Sequence, residues 1–264
     1  MTPAREYARR GFLTGIRSLD DGEVVRCREM FDSLEAESGK EASQVGMEGR
    51  HMTDPGVWAL ATHPAILDAV VRVAGPDIVL IGTHFFCKYP VADVAGEHFV
   101  AWHQDVTYWG LRPRKAITAW LAVDDADVEN GCMRVIEASH RGGQVEHRTA
   151  VRAGNLLSVN QAIAPSLVDE SKAVDLVLPA GSMSLHDGLL IHGSNPNRSN
   201  RRRCGLTIRY TTPEVRLVSD ENFKGVWRPL LVRGEDRYGH LEYAPRPAFA
   251  GSGPNPDSSQ ENLT

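Results

Sequence analysis

The sequence predicts a mainly β fold, a two-sheet jelly roll with helices packed outside it. An N-terminal third with helical periodicity, a change after Pro76 to short β-prone runs, and turn residues separating those runs carry this expectation. Taken in order, Val24, Cys27, Phe31 and Leu34 recur at helical spacing between Gly22 and Glu37, with charges between them. Residues 43–53 show no period and are expected as a loop. A second helix is bounded by Thr62 as its cap, Pro64 in its first turn and Gly75 past its end. Its buried stripe is Ile66, Leu67, Val70, Val71 and Ala74.

Strands are expected over 78–89, through His103, over 116–123, over 132–136 after the tight-turn pair Asn130-Gly131, and over 174–178, 182–185, 189–192 and 204–210. That is roughly eight strands, enough for a jelly roll. The loop 91–99 joins 43–53 as a possible lid, since loops on a rigid barrel carry specificity. Residues 1–247 are expected to form a single domain. The Pro-, Gly-, Ser- and Asn-rich 248–264 is expected to be a disordered tail.

The chain has 264 residues, 42% of them hydrophobic and 24% charged, which supplies an ordinary globular core. A net charge of −5 gives no global field favouring nucleic acid or an anionic membrane. Only Arg198, Arg201, Arg202 and Arg203 form a dense basic cluster. Cys27, Cys87, Cys132 and Cys204 are scattered without C-x-x-C spacing, which argues against a disulfide framework and a zinc knuckle. With no apolar leader at the N-terminus, the expected location is a reducing cytoplasm. Oligomeric state is not readable.

The chemistry rests on His103-Gln104-Asp105 and on His192, with Arg203 eleven positions later. Two neutral imidazoles and one carboxylate with open coordination positions suit non-haem Fe(II) oxygen chemistry, and a trailing guanidinium suits a carboxylate. His-x-Asp alone is weak, since ten histidines and 34 acidic residues produce roughly one by chance. A second such pair, His240-Leu241-Glu242, has no histidine after it. Alternation along a strand would place His103 and Asp105 on one face, with His192 closing a later strand.

The segments 102–109, 130–140 and 191–199, in this order, resemble the phytanoyl-CoA dioxygenase family of Fe(II)/2-oxoglutarate oxygenases, over about residues 11–247. The resemblance implies a double-stranded β-helix (jelly-roll, cupin-like) core using Fe(II), 2-oxoglutarate and O2. It implies His103, Asp105 and His192 as iron ligands. Arg203 would pair with the distal co-substrate carboxylate, with Ser194 beside it. Lys88 matches a co-substrate position, although it reads equally as a strand-end lysine reaching solvent. Trp120 is a candidate wall of the same pocket, or core.

Candidate substrate-facing residues are Gln104, Tyr108, Trp109, Phe86 and Met133, with the loop around Arg50 and His51; for Trp109 packing between sheets is an equal reading. His84, His98 and His186 are expected to be structural. The expected reaction is hydroxylation of an unactivated C–H bond of a small metabolite, with release of succinate and CO2. Related halogenases replace the carboxylate by a small residue; here Asp105 is intact. Desaturation, epimerisation or ring formation remain alternatives, as does a non-catalytic jelly-roll binding module.

Overall fold

The computed structural model describes residues 1–94, 96–149, 154–157, 161–218 and 228–251. Its helices are α1 (Pro3–Arg10), α2 (Asp21–Val45), α3 (Pro55–Ala61) and α4 (Pro64–Ala74). The strands are β1 (Phe12–Arg17), β2 (Ile78–Lys88), β3 (Val100–His103), β4 (Leu111–Arg112), β5 (Ile117–Ala122), β6 (Met133–Ile136) and β7 (His147–Thr149). They continue with β8 (Gln161–Ile163), β9 (Ala173–Leu176), β10 (Ser182–Asp187), β11 (His192–Ser194), β12 (Arg203–Thr211), β13 (Arg216–Leu217) and β14 (Leu230–Arg233).

A major antiparallel sheet runs β1-β10-β5-β12-β2-β14 and faces a minor sheet, β3-β11-β6-β9. This is the expected jelly roll. Every residue of β12 is buried because both faces of the major sheet are covered. Cys204, Leu206, Ile208 and Tyr210 join Phe85, Leu121 and Leu185 in the core beneath the helices. Arg203, Gly205, Thr207 and Arg209 alternate to the other face, toward the minor sheet. Trp120 and Ala122 meet Met133, Val135 and Leu176 there.

Local chemistry explains the helices. Asp20 and Glu23 form a reciprocal capping box on α2, with bonds of 2.7 and 2.8 Å. Val24, Cys27, Phe31 and Leu34 then turn inward, and full burial of Phe31 alone is worth ~1.5–3 kcal/mol. The helix kinks at Gly39, whose φ of 83° no other residue type adopts readily, and resumes to Val45. This kink hides the extension beyond Glu37 from a periodicity reading. Thr62 closes α3, its hydroxyl donating to the Trp58 carbonyl, and His63 takes the cap position of α4 expected for Thr62.

The segment 43–53 differs from the expected loop. It holds the last turn of α2, an antiparallel bridge from Glu48 to His84, and a 3-10 turn over Arg50–Met52. Backbone bonds from Gly49 N to Thr83 O and from Phe85 N to Met47 O pin it to β2. His51 is buried on the helix side, its Nδ1 2.9 Å from Thr83 Oγ1, and Arg50 donates to Ser38. α3 and α4 together make a 20-residue stretch apolar enough by composition to cross a membrane. They are two helices in the structure, with Trp58, Leu60, Ile66 and Val70 buried in the main core. Ala248–Ala250 forms a 3-10 turn, with Ala250 packed against that core; residues 252–264 of the expected tail lie outside the described residues.

Two histidines outside the motif, His51 and His84, are buried and a third, His147, is half-buried, and all three are held neutral. Burial lowers His51 and His147 to about 4, and burial with the charge of Arg209 lowers His84 to about 3. An unfolded histidine titrates near ~6.5, so the unfolded chain binds more protons between that value and these folded ones. Stability is complete above pH ~6.5 and falls as pH drops toward 4, by roughly 2 kcal/mol per histidine at pH 5. Urea midpoints at pH 7 and pH 5 check this; His51→Gln is expected to reduce the difference.

Candidate metal centre and co-substrate pocket

The structure brings His103, Asp105 and His192 together, with ligand atoms all within 4.8 Å of one another and all three residues buried. His103 and His192 are register partners across the β3–β11 ladder, and their ring centroids lie 4.1 Å apart. Asp105 arrives differently from the sequence expectation. β3 ends at His103, and Asp105 opens a 3-10 turn, Asp105–Tyr108. The turn, rather than strand alternation, swings Asp105 Oδ1 to 3.7 Å from His103 Nε2 and 3.9 Å from His192 Nε2. His192 opens β11 instead of closing a strand over 189–192, because residues 188–190 turn after β10, closed by the bond from Leu190 N to Asp187 O.

Each ligand is oriented by a partner behind it. His103 Nδ1 donates to Ala101 O at 2.8 Å and His192 Nδ1 to Leu190 O at 2.9 Å. That tautomer leaves both Nε2 lone pairs facing Asp105. Thr118 Oγ1 donates to Asp105 Oδ2 at 2.8 Å, and His186 Nε2 lies 3.3 Å from the same oxygen. Oδ1 is thereby left toward the histidines. Burial opposes charge on Asp105, but the hydrogen bond from His186 and the closeness of the His103 and His192 imidazoles hold it well below the usual carboxylate range. Burial, with the charges of His103 and His186, holds His192 well below its ordinary value, hence neutral. An ionised carboxylate beside two imidazoles that present Nε2 is the donor set a ferrous ion takes.

The residues expected to meet the co-substrate lie along the inner face of β2 and β12. Arg203 and Lys88 are register partners, both almost fully buried. Neither has a carboxylate partner among the described residues. Arg203 Nε is buried and unpartnered, and its guanidinium sits 5.4 Å over the Trp120 ring. Lys88 donates to Ser194 Oγ at 2.5 Å, to Gly131 O at 3.3 Å and to Asn195 O. It does not reach solvent; its three hydrogens are spent bracing the wall, and it contributes charge. Ser194, accepting from Lys88, keeps its own hydroxyl hydrogen to donate. Burial pulls the Lys88 ammonium well below its ordinary range, and the neighbouring Arg203 adds to this. A buried guanidinium without a counter-anion, beside a hydroxyl free to donate, fits one carboxylate of a ligand such as 2-oxoglutarate. Gly205 is needed here: a Cβ would meet the Trp120 indole at 2.1 Å.

The neighbouring arginines point elsewhere. Arg201 pairs with Asp127 at 2.7 Å and Glu129 at 3.3 Å, and Arg202 with Asp32 at 2.6 Å and Asp124 at 2.9 Å. His240 of the second His-x-Glu pair sits against Arg216, away from the centre.

The candidate substrate residues separate. Phe86 is half-buried on the inner face, its ring against His84. Trp109 is half-buried beneath the Arg209 guanidinium, 5.2 Å from ring to Cζ. The Tyr108 side chain lies outside the described part. Gln104 is corrected: its amide donates to Gly143 O and Leu189 O and accepts from Val145 N, so it anchors a loop. Met133 is also corrected, being buried among Trp120, Val135 and Leu176 as packing. Thr118 and His186 are the contributors that motif spacing missed. Their only signal is strand alternation on β5 and β10, where register pairs them.

A jelly roll with this triad and an unpaired inward cation defines an Fe(II)/2-oxoglutarate-dependent oxygenase. The phytanoyl-CoA dioxygenase (PhyH) family model matches residues 11–205, and the chain belongs to that family. It is 25% identical to a probable alpha-ketoglutarate-dependent hypophosphite dioxygenase of Stutzerimonas stutzeri, over 77% of this chain and 69% of that protein. Identity to phytanoyl-CoA dioxygenase domain-containing protein 1 of Bos taurus is 28%, over 66% of this chain but only 58% of the relative. The solved structure of a non-heme monooxygenase, ThoJ in its apo form, superposes with a TM-score of 0.74 at 30% identity, covering 93% of this chain and 88% of that one. The enzyme therefore uses Fe(II), 2-oxoglutarate and dioxygen.

Proposed function

We propose that this enzyme hydroxylates an unactivated C–H bond of a small metabolite, in the overall sense R–H + O2 + 2-oxoglutarate → R–OH + succinate + CO2. The observation that carries this is the intact Asp105 carboxylate, its Oδ2 tied to Thr118 and His186 and its Oδ1 turned to the histidines. Once iron, 2-oxoglutarate and dioxygen are bound, they supply an oxidant strong enough to break a C–H bond. The chain supplies the rest. His103, Asp105 and His192 would hold the metal. Arg203 would grip the distal carboxylate, with the Ser194 hydroxyl donating beside it and Trp120 walling the pocket. Phe86 and Trp109 would exclude water on the substrate side. A small substrate is consistent with the hypophosphite named for one relative. Screening metabolites for stimulated succinate release, followed by 18O2 labelling of the product, tests the reading. One labelled oxygen in the product is expected; stimulated succinate with an unlabelled dehydrogenated or isomeric product would replace hydroxylation by another oxidative outcome.

A further inference from the structure

A second inward arginine has no part in the chemistry above. Arg209 shares the inner face of β12 with Arg203, six residues or about 20 Å along the strand. Its register partner on β5 is Thr118, the residue bonded to Asp105, so Arg209 stands beside the metal centre at the end remote from the co-substrate cation. The residue is 8% exposed, and its Nε is buried without a hydrogen-bond partner. Its guanidinium lies over Trp109, four residues beyond Asp105. Among the described residues its one ion-pair partner is Glu48, at 3.5 Å, whose own side chain is 58% exposed. Glu48 bridges His84 at the edge of β2, so this carboxylate sits at the rim and can swing to solvent.

A desolvated guanidinium backed by an aromatic face, with only a loosely held carboxylate on it, is a site for an exchangeable oxyanion. We propose that Arg209 recognises an acidic substrate, a small organic acid or phosphorus oxyacid, whose oxyanion replaces Glu48 and so places the neighbouring C–H or P–H bond against the metal centre. This rests on the oxygenase reading and deepens it by naming the substrate class.

The experiment compares acids with neutral isosteres: benzoate with benzamide, octanoate with octanamide, and phenylphosphonate with benzenesulfonamide. Thermal shifts are measured on full-length protein saturated with Mn(II) and 2-oxoglutarate under anaerobic conditions. At least one acid is expected to bind about tenfold or more tightly than its neutral partner. Which acid does so separates carboxylates from phosphorus oxyacids. Arg209→Met should erase that preference and Arg209→Lys should keep part of it. Glu48→Gln, on an exposed side chain, should strengthen acid binding several-fold by removing the competing carboxylate. A purely structural Arg209 would weaken acid and neutral probes alike. Equal shifts from acids and neutral partners in the wild type, including no shift from either, overturn the proposal, as does acid binding unchanged by Glu48→Gln. Failure of 2-oxoglutarate itself to stabilise the Mn(II)-loaded wild type would instead strike the oxygenase reading.

Discussion

Asp105→Ala is expected to reduce succinate formation by more than the ~10–100-fold that follows loss of a group merely supporting a ligand. The reason is geometric. Asp105 Oδ1 is the anionic donor among the three, 3.7 and 3.9 Å from the two imidazole nitrogens, and the buried site has no water-exposed substitute. Thr118→Val removes the bond to Oδ2, and His186→Phe removes the other while keeping a ring against His192, so each is expected to fall within ~10–100-fold in metal affinity. Calorimetric titration with Mn(II) checks the ranking. An Asp105→Ala protein that binds Mn(II) like the wild type, or turns over at the same rate with Fe(II), removes Asp105 from the ligand set.

Arg203→Met carries the second large effect, and its sign depends on what is bound. Without co-substrate, Arg203 is a buried cation with an unpartnered Nε beside buried Lys88. Replacing such a charge by an apolar side chain of similar length is often neutral or stabilising, by ~1–4 kcal/mol. With 2-oxoglutarate present the order reverses, because the variant forfeits a desolvated charge pair worth ~2–5 kcal/mol to binding. The apo variant should therefore melt at or above the wild type, yet gain little from added 2-oxoglutarate. Its KM for 2-oxoglutarate should rise at least ~30-fold. Thermal denaturation with and without co-substrate reads both effects. An apo protein destabilised by several degrees, with its 2-oxoglutarate response intact, would make Arg203 a structural residue.

Much of the site is legible in the sequence because the ligands are rare residue types in a fixed order. His103, Asp105 and His192, and an arginine eleven positions on, need no coordinates to be noticed. The choice among Arg201, Arg202 and Arg203 is harder from spacing alone. The strand boundary settles it: β12 begins at Arg203, in register with buried Lys88, while Arg201 and Arg202 precede the strand and pair with Asp127 and Asp124. Gln104 misled for a related reason. A polar residue between two ligands reads as substrate-facing, whereas its amide closes three backbone bonds with the 143–145 loop and Leu189. Nothing in one-dimensional spacing marks which backbone groups need a partner.

By itself the sequence determined the jelly-roll class, the main strands and the chemical identity of the donor set, because these depend on period, composition and residue type. Only the tertiary structure decided that a 3-10 turn delivers Asp105, that Thr118 and His186 aim its second oxygen, and that Lys88 spends its hydrogens on the pocket wall. It also decided that Arg209 stands opposite Thr118 between Trp109 and the exposed Glu48. Register and burial across strands distant in the chain set these relations, and a guanidinium or carboxylate acquires its chemical role from whether water and a counter-charge can reach it.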